Sequence, residues 1–202
     1  MDDIIEIRNV VSPGYQDFIH EKVTSLQFPW YFNTNLVTPE ATLKDEANIQ
    51  GFNHFLFEEQ KQVSPTFDSI YPLYLSIVDQ LKGTDIKFNL LERMRFNLTY
   101  ANPLSTLPWH MPHIDSMYPH YNAIYYVNDS DGDTVIFNET NEDYSEDFDV
   151  MKENKFTVKQ RITPEKGKVV VFPGHYYHAS SFAKKSNYRC VLNINLGKVF
   201  WF

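Results

Sequence analysis

A single cysteine, Cys190, in 202 residues leaves the chain no internal disulfide, so no covalent staple holds the fold and a reducing compartment is the simple reading. No apolar run approaches the length that spans a membrane. The first residues, MDDIIEIRNVV, are acidic where a secretory leader would be basic. Pro/Gly/Ser-rich linkers, low-complexity tracts and internal repeats are all missing, which argues against a second domain. A basic stripe is missing too. The formal net charge is −8, and ten acids with one base fall between Asp129 and Glu153, leaving the remainder near neutrality. Such a surface is a poor partner for nucleic acid or anionic membranes. These absences predict a soluble, cytoplasmic protein of one domain, with neither nucleic acid nor membrane as its partner.

What the chain does have is length enough for a sizeable core, many Phe and Tyr residues, and a second half rich in β-branched residues, a composition that leans towards sheet. Two stretches read as helices. SPGYQDFIHEKVTSL offers Ser12 as N-cap and Pro13 in the first turn. SPTFDSIYPLYLSIVDQLKG opens on Ser64 and Pro65, carries an apolar face, holds a helix-kinking Pro72 and stops at Gly83. After Lys87 the texture changes to two-residue alternation. Strands are expected over 90–100, 121–127, 133–138, 155–162, 168–172 and 188–196, with NDSDGD as hairpin-turn chemistry between two of them. Helices followed by many short strands give an α+β protein. The expectation is mostly helical support over 1–87 and a sandwich or jelly-roll barrel over 88–202.

The chemistry concentrates in WHMPHIDSMYPHYNAIYYVND, residues 109–129. On a strand, residues i and i+2 share a face, so His113 and Asp115 can present an imidazole and a carboxylate together. VVVFPGHYYHASS then supplies His175 and His178 after an apolar strand. Two histidines and a carboxylate with open positions opposite form the facial triad that suits non-haem Fe(II), and Zn(II) or Mn(II) can take the same ligands. In YRCVLNINL, Arg189, Val191, Asn193 and Asn195 share one face while Cys190, Leu192, Ile194 and Leu196 share the other. If the apolar face packs on helices, Arg189 points into the barrel, where a buried guanidinium requires an anion. The alternation of Asp129, Asp131 and Asp133 is no EF-hand loop, because Thr134 and Thr140 stand where Gly and Glu are required.

His113-Ile-Asp115, IYYVN, GDTVIF, GKVVVFPGHYYHAS and Arg189, in that order, resemble the Fe(II)/2-oxoglutarate-dependent dioxygenases, nearest the prolyl-4-hydroxylase-like branch. The resemblance covers roughly Leu90 to Leu196. It implies a double-stranded β-helix (jelly-roll, cupin-like) core flanked by N-terminal helices. It also implies Fe(II) held by His113, Asp115 and His178, with 2-oxoglutarate as cosubstrate, O2 as oxidant, and a substrate carbon hydroxylated with release of succinate and CO2. Arg189 would then take the distal carboxylate of 2-oxoglutarate, helped by the Tyr126 hydroxyl. The family usually has a small hydroxyl residue where Val191 stands, and Thr134 or Asn193 is the candidate replacement. Asn97, on the polar side of its strand, either reaches the metal-proximal carboxylate or is an ordinary polar residue. Because Asp115 is present, hydroxylation is favoured over halogenation. His110 and His120 read as satisfied polar residues near the rim, and His20 and His54 receive no role. The acidic stretch Glu139–Glu153 reads as a solvated excursion, with a lid over the site as the alternative. The rival function is a non-catalytic or Zn-binding jelly-roll binding domain. The substrate is left open among peptidyl proline, another side chain, a free amino acid and a small metabolite.

Overall fold

The strand Tyr188–Gly197 sets the layering. Its alternate residues Cys190, Leu192, Ile194 and Leu196 are buried in one apolar cluster, while Val191 belongs to a second. One strand thus separates two cores, as period-two alternation requires. The computed structural model describes residues 4–34, 36, 50–144 and 156–198. Within them the order is β1 (Ile5–Ile7), α1 (Pro13–Thr24), β2 (Tyr31–Asn33), β3 (Gly51–Glu58), β4 (Lys61–Gln62), α2 (Thr66–Leu81), β5 (Leu90–Tyr100), β6 (His120–Tyr126), β7 (Thr134–Thr140), β8 (Val158–Ile162), β9 (Val169–Pro173), β10 (Tyr176–Ser180) and β11 (Tyr188–Gly197).

Antiparallel pairing builds a large sheet in the order β1-β9-β6-β11-β5-β3-β2, with β4 attached to β3, and a small sheet in the order β10-β7-β8. Ile124, Tyr126, Val170, Phe172 and Val191 from the large sheet meet Ile136, Ile162 and Tyr176 from the small one, so the two sheets share an interior. The outer face of the large sheet, through Met94, Phe96, Ala123, Tyr125, Val169, Val171 and Leu192, is covered by Ile19 and Val23 of α1 and by Ile70, Leu73, Ile77 and Leu81 of α2. Each fully buried side chain of this kind contributes about 1.5–3 kcal/mol. Two antiparallel sheets closed over a common interior, with both helices on one outer face, make the α+β jelly roll that the pattern predicted.

Several local readings change. α2 begins at Thr66, yet Ser64 still serves its first turn, because the Ser64 Oγ accepts the Thr66 N–H at 3.1 Å. Pro72 lies inside this helix, and Gly83 leaves it at φ +88°, a left-handed conformation that suits glycine. The stretch before residue 88, expected as mostly helical support, also contributes four strands, and β3 joins the large sheet beside β5. Its sequence, GFNHFLFE, hides the alternation because both faces are partly covered and the register shifts between Phe55 and Phe57. NDSDGD is not a hairpin turn. β6 belongs to the large sheet and β7 to the small one, so the segment carries the chain across the barrel. Its turn residues serve that crossing: the Asp131 carboxylate accepts the backbone N–H groups of Lys184, Lys185 and Ser186 at 2.9–3.1 Å. Of the acidic excursion Glu139–Glu153, residues 145–153 lie outside the described residues, and with them most of the segment proposed as a lid. Among the described residues no helix is long and apolar enough to cross a membrane.

Candidate metal centre

His113 and Asp115 do not sit on a regular strand. His113 makes a single β-bridge to His178 on β10, with N–H···O bonds of 3.0 Å in both directions. That bridge brings the two imidazoles to 4.5 Å between ring centroids. Asp115 completes the group: its Oδ1 is 3.9 Å from His113 Nε2 and its Oδ2 is 3.5 Å from His178 Nε2. Ligand atoms of His113, Asp115 and His178 all lie within 4.8 Å of one another, the one such cluster among the described residues.

Protonation suits metal binding. Burial, reinforced by the nearby His178, pushes His113 down to about 4, so its ring is neutral near pH 7. The His113 Nδ1 is 3.0 Å from the Met111 carbonyl; donation there leaves the Nε2 lone pair aimed at the cluster. Burial alone would raise Asp115, yet His178, Arg93 and His113 hold its carboxyl well below the usual carboxylate range. The Asp115 side chain is 2 % exposed and its oxygens are heavily engaged. Arg93 donates to Oδ1 at 3.1 Å and to the Asp115 carbonyl at 3.1 Å. Asn193 and Asn195 donate to Oδ2 at 2.9 and 3.4 Å, and Arg95 stands 3.9 Å from Oδ1. Two imidazoles and one oriented carboxylate fit a divalent cation.

Arg189 lines the same cavity as His113 and His178, together with Asn97, Thr134, Val191 and Asn193. It is 7 % exposed. Its Nε donates to the Gly132 carbonyl at 2.9 Å and its Nη2 to Thr134 Oγ1 at 2.8 Å. Tyr126 donates its hydroxyl to the same Thr134 oxygen at 2.8 Å, and its ring centroid lies 5.9 Å from the guanidinium carbon. Thr134 accepts two bonds and keeps its own proton for a further acceptor. Among the described residues no carboxylate pairs with Arg189, and burial lowers its proton affinity; burial likewise raises the Tyr126 hydroxyl. A sealed guanidinium, a phenol and a threonine hydroxyl therefore converge without an anion, which is what a bound carboxylate would supply.

Of the two residues considered in place of the hydroxyl at Val191, Thr134 sits beside Arg189, whereas Asn193 is engaged by Asp115. Asn97 lines the cavity, and its Oδ1 is buried without a hydrogen-bond partner. His175 points elsewhere, 3.6 Å from Glu142. His110 is buried with Nδ1 2.9 Å from the Ser180 carbonyl, and His120 is buried with Nδ1 2.7 Å from the Tyr118 carbonyl. Arg93 and Arg95 were missed at the sequence level. The signal was present in RMRFNLT, where Arg93, Arg95, Asn97 and Thr99 alternate on one strand face.

No protein-family model and no curated protein matches this chain. Solved structures do. A prolyl hydroxylase from Trichoplax adhaerens, in complex with a hypoxia inducible factor oxygen degradation domain peptide, superposes with a TM-score of 0.66 at 12 % identity, covering 98 % of this chain and 84 % of its own. A Pseudomonas putida prolyl-4-hydroxylase gives 0.56 at 12 % identity, covering 97 % and 93 %. An oxidoreductase of the 2OG-Fe(II) oxygenase family from Burkholderia pseudomallei gives 0.63 at 10 % identity, covering 96 % and 85 %. At these identities the likeness establishes the jelly-roll fold, and the chemistry rests on the site.

Proposed function

We propose that this protein is an Fe(II)- and 2-oxoglutarate-dependent oxygenase that hydroxylates a substrate carbon. The observation that carries the reading is the convergence, in one cavity, of the His113–Asp115–His178 cluster and the anion-less guanidinium of Arg189. The structural neighbours named as prolyl hydroxylases and 2OG-Fe(II) oxygenases support it by fold.

His113 and His178, through Nε2, and Asp115, through its carboxylate, would hold Fe(II). When bound, the metal and 2-oxoglutarate would together supply oxygen activation, one oxygen atom going to the substrate and the other to succinate with release of CO2. The protein's own part is positioning and electrostatics. Arg93, Asn193 and Asn195 aim Asp115 through hydrogen bonds to its carboxylate. Arg189 and Thr134, with Tyr126 behind them, would grip the distal carboxylate of 2-oxoglutarate.

A zinc-type binding domain would use the same three ligands but has no need of the Arg189–Thr134–Tyr126 cradle. The deciding experiment is anaerobic titration of the Fe(II)-loaded protein with 2-oxoglutarate, followed by exposure to O2. Binding and iron-dependent formation of succinate support the oxygenase; a protein that holds metal yet ignores 2-oxoglutarate is the binding domain.

A further inference from the structure

Arg95 lies on β5, paired in register with Asn193 of β11 on one side and with Phe55 of β3 on the other. It is 9 % exposed and lines the cavity that holds His113, His178 and Asn97. Among the described residues its guanidinium donates no hydrogen bond, and its Nε is sealed from solvent without a partner. The Asp115 oxygen 3.9 Å from its Nη2 is within ion-pair range but too far for a hydrogen bond. That carboxylate is already served by Arg93, Asn193 and Asn195, so a further cation adds little to it. Glu58 also reaches Arg95 by its field but makes no hydrogen bond to it. Contact with the Phe55 ring, 5.6 Å from the guanidinium carbon, is the remaining support.

A cation enclosed to this degree without hydrogen bonds is costly unless an anion arrives. The charges of the loaded site do not provide one. Arg93 offsets Asp115, and a dianionic 2-oxoglutarate is balanced by a divalent metal, so positive charge remains in excess around Arg95. Asn97 Oδ1 and Asn193 Oδ1, both buried and without partners, stand near it on the same strands and can accept hydrogen bonds from a polar ligand.

We propose that Arg95 is a specificity residue that receives a carboxylate of the primary substrate. This rests on the oxygenase reading. A carboxylate held by Arg95 places the carbons attached to it beside the metal ligands, where the guanidinium fork fixes their orientation by two parallel hydrogen bonds.

The test uses matched pairs that differ only in that group: free amino acids and their α-carboxamides, together with aspartate against asparagine and glutamate against glutamine. Each is titrated calorimetrically into the protein loaded with Zn(II), a redox-inert stand-in for iron, and 2-oxoglutarate. At least one acid should bind, with its amide at least tenfold weaker. Arg95→Gln should abolish that preference, while 2-oxoglutarate affinity and metal content stay within about twofold of wild type; Arg95→Lys should retain part of the preference, and it also serves if the Gln variant does not fold. The acids that bind should raise succinate formation by the Fe(II) protein in air. Amides that bind as well as acids, or no binding by any acid, overturn the proposal. So does an Arg95→Gln variant that loses 2-oxoglutarate, making Arg95 a cosubstrate contact, or one that loses metal, making it a support for Asp115. If wild type fails to bind 2-oxoglutarate at all, the oxygenase reading falls and takes this proposal with it. If 2-oxoglutarate binds without acid-over-amide discrimination, this proposal alone falls.

Discussion

His113 and His178 exchange backbone hydrogen bonds of 3.0 Å in both directions, the sole contact of β-bridge type outside the regular strands described. Because the bridge fixes both Cα positions, the two imidazoles converge before any metal arrives, and little ordering is left to be done on binding.

The first prediction follows from that geometry. His178→Ala should remove stoichiometric metal binding, whereas His175→Ala should leave it intact, since His175 faces Glu142. Asn193→Leu keeps all three ligands but deprives Asp115 of its shortest amide bond, and should weaken metal affinity about 10–100-fold. Metal content and calorimetric titration read all three; a His175→Ala variant that loses metal would show the wrong histidine was assigned.

Arg189→Ala should cost on the order of 2–5 kcal/mol in 2-oxoglutarate binding, the range for breaking a buried, hydrogen-bonded charge pair. Arg189→Lys keeps the charge but loses the fork and should fall between wild type and Ala. Thr134→Val should cost less, about 0.5–1.5 kcal/mol for one hydrogen bond. Metal content should be unchanged in each. Equal affinity in wild type and Arg189→Ala would remove this arginine from the cosubstrate site.

Asp131 gives a pH dependence with a definite sign. Burial would raise its carboxyl, yet the N–H groups of Ser186, Lys185 and Lys184 bring it down to about 2. A folded value below the unfolded one contributes stability above the unfolded value of about 3.9, and that contribution is lost as pH falls towards 2. Wild type should therefore exceed Asp131→Asn in urea midpoint at neutral pH, and the gap should narrow between about pH 4 and pH 2. A gap independent of pH over that window would contradict the assignment.

Leu192, fully buried where β11 meets the helices, should lose about 2–5 kcal/mol on replacement by Ala. Leu104, 89 % exposed, should change stability by less than about 0.5 kcal/mol on the same replacement. Denaturant unfolding of the two variants checks both, and similar losses would mean that the helical face is not the main core.

The sequence by itself determined the layers and the types of side chain at the candidate metal centre. In β11 every second residue from Cys190 to Leu196 is apolar, and burial of that row against helices leaves Arg189 and the asparagines no direction but the interior; local period and the hydrophobic effect suffice for this. His113, Asp115 and His178 were legible because imidazoles beside a carboxylate are chemically distinctive wherever they fall. The tertiary structure decided what depends on pairing between distant segments. That His178 rather than His175 stands beside His113 and Asp115 follows from the His113–His178 bridge, which no local pattern encodes. NDSDGD carries turn chemistry in either role, and only the assignment of β6 and β7 to different sheets makes it a crossing. Thr134 reaches Arg189 because β7 and β11 stand in opposite sheets around one interior, and Asn193 reaches Asp115 because the His113–His178 bridge ties that loop to β10 of the small sheet. That Arg93 hydrogen-bonds Asp115 while Arg95 lines the cavity likewise requires β5 to lie beside β11 in one register. Side-chain type is written along the chain, whereas the partner each side chain meets is set by which backbones hydrogen-bond across the sheets.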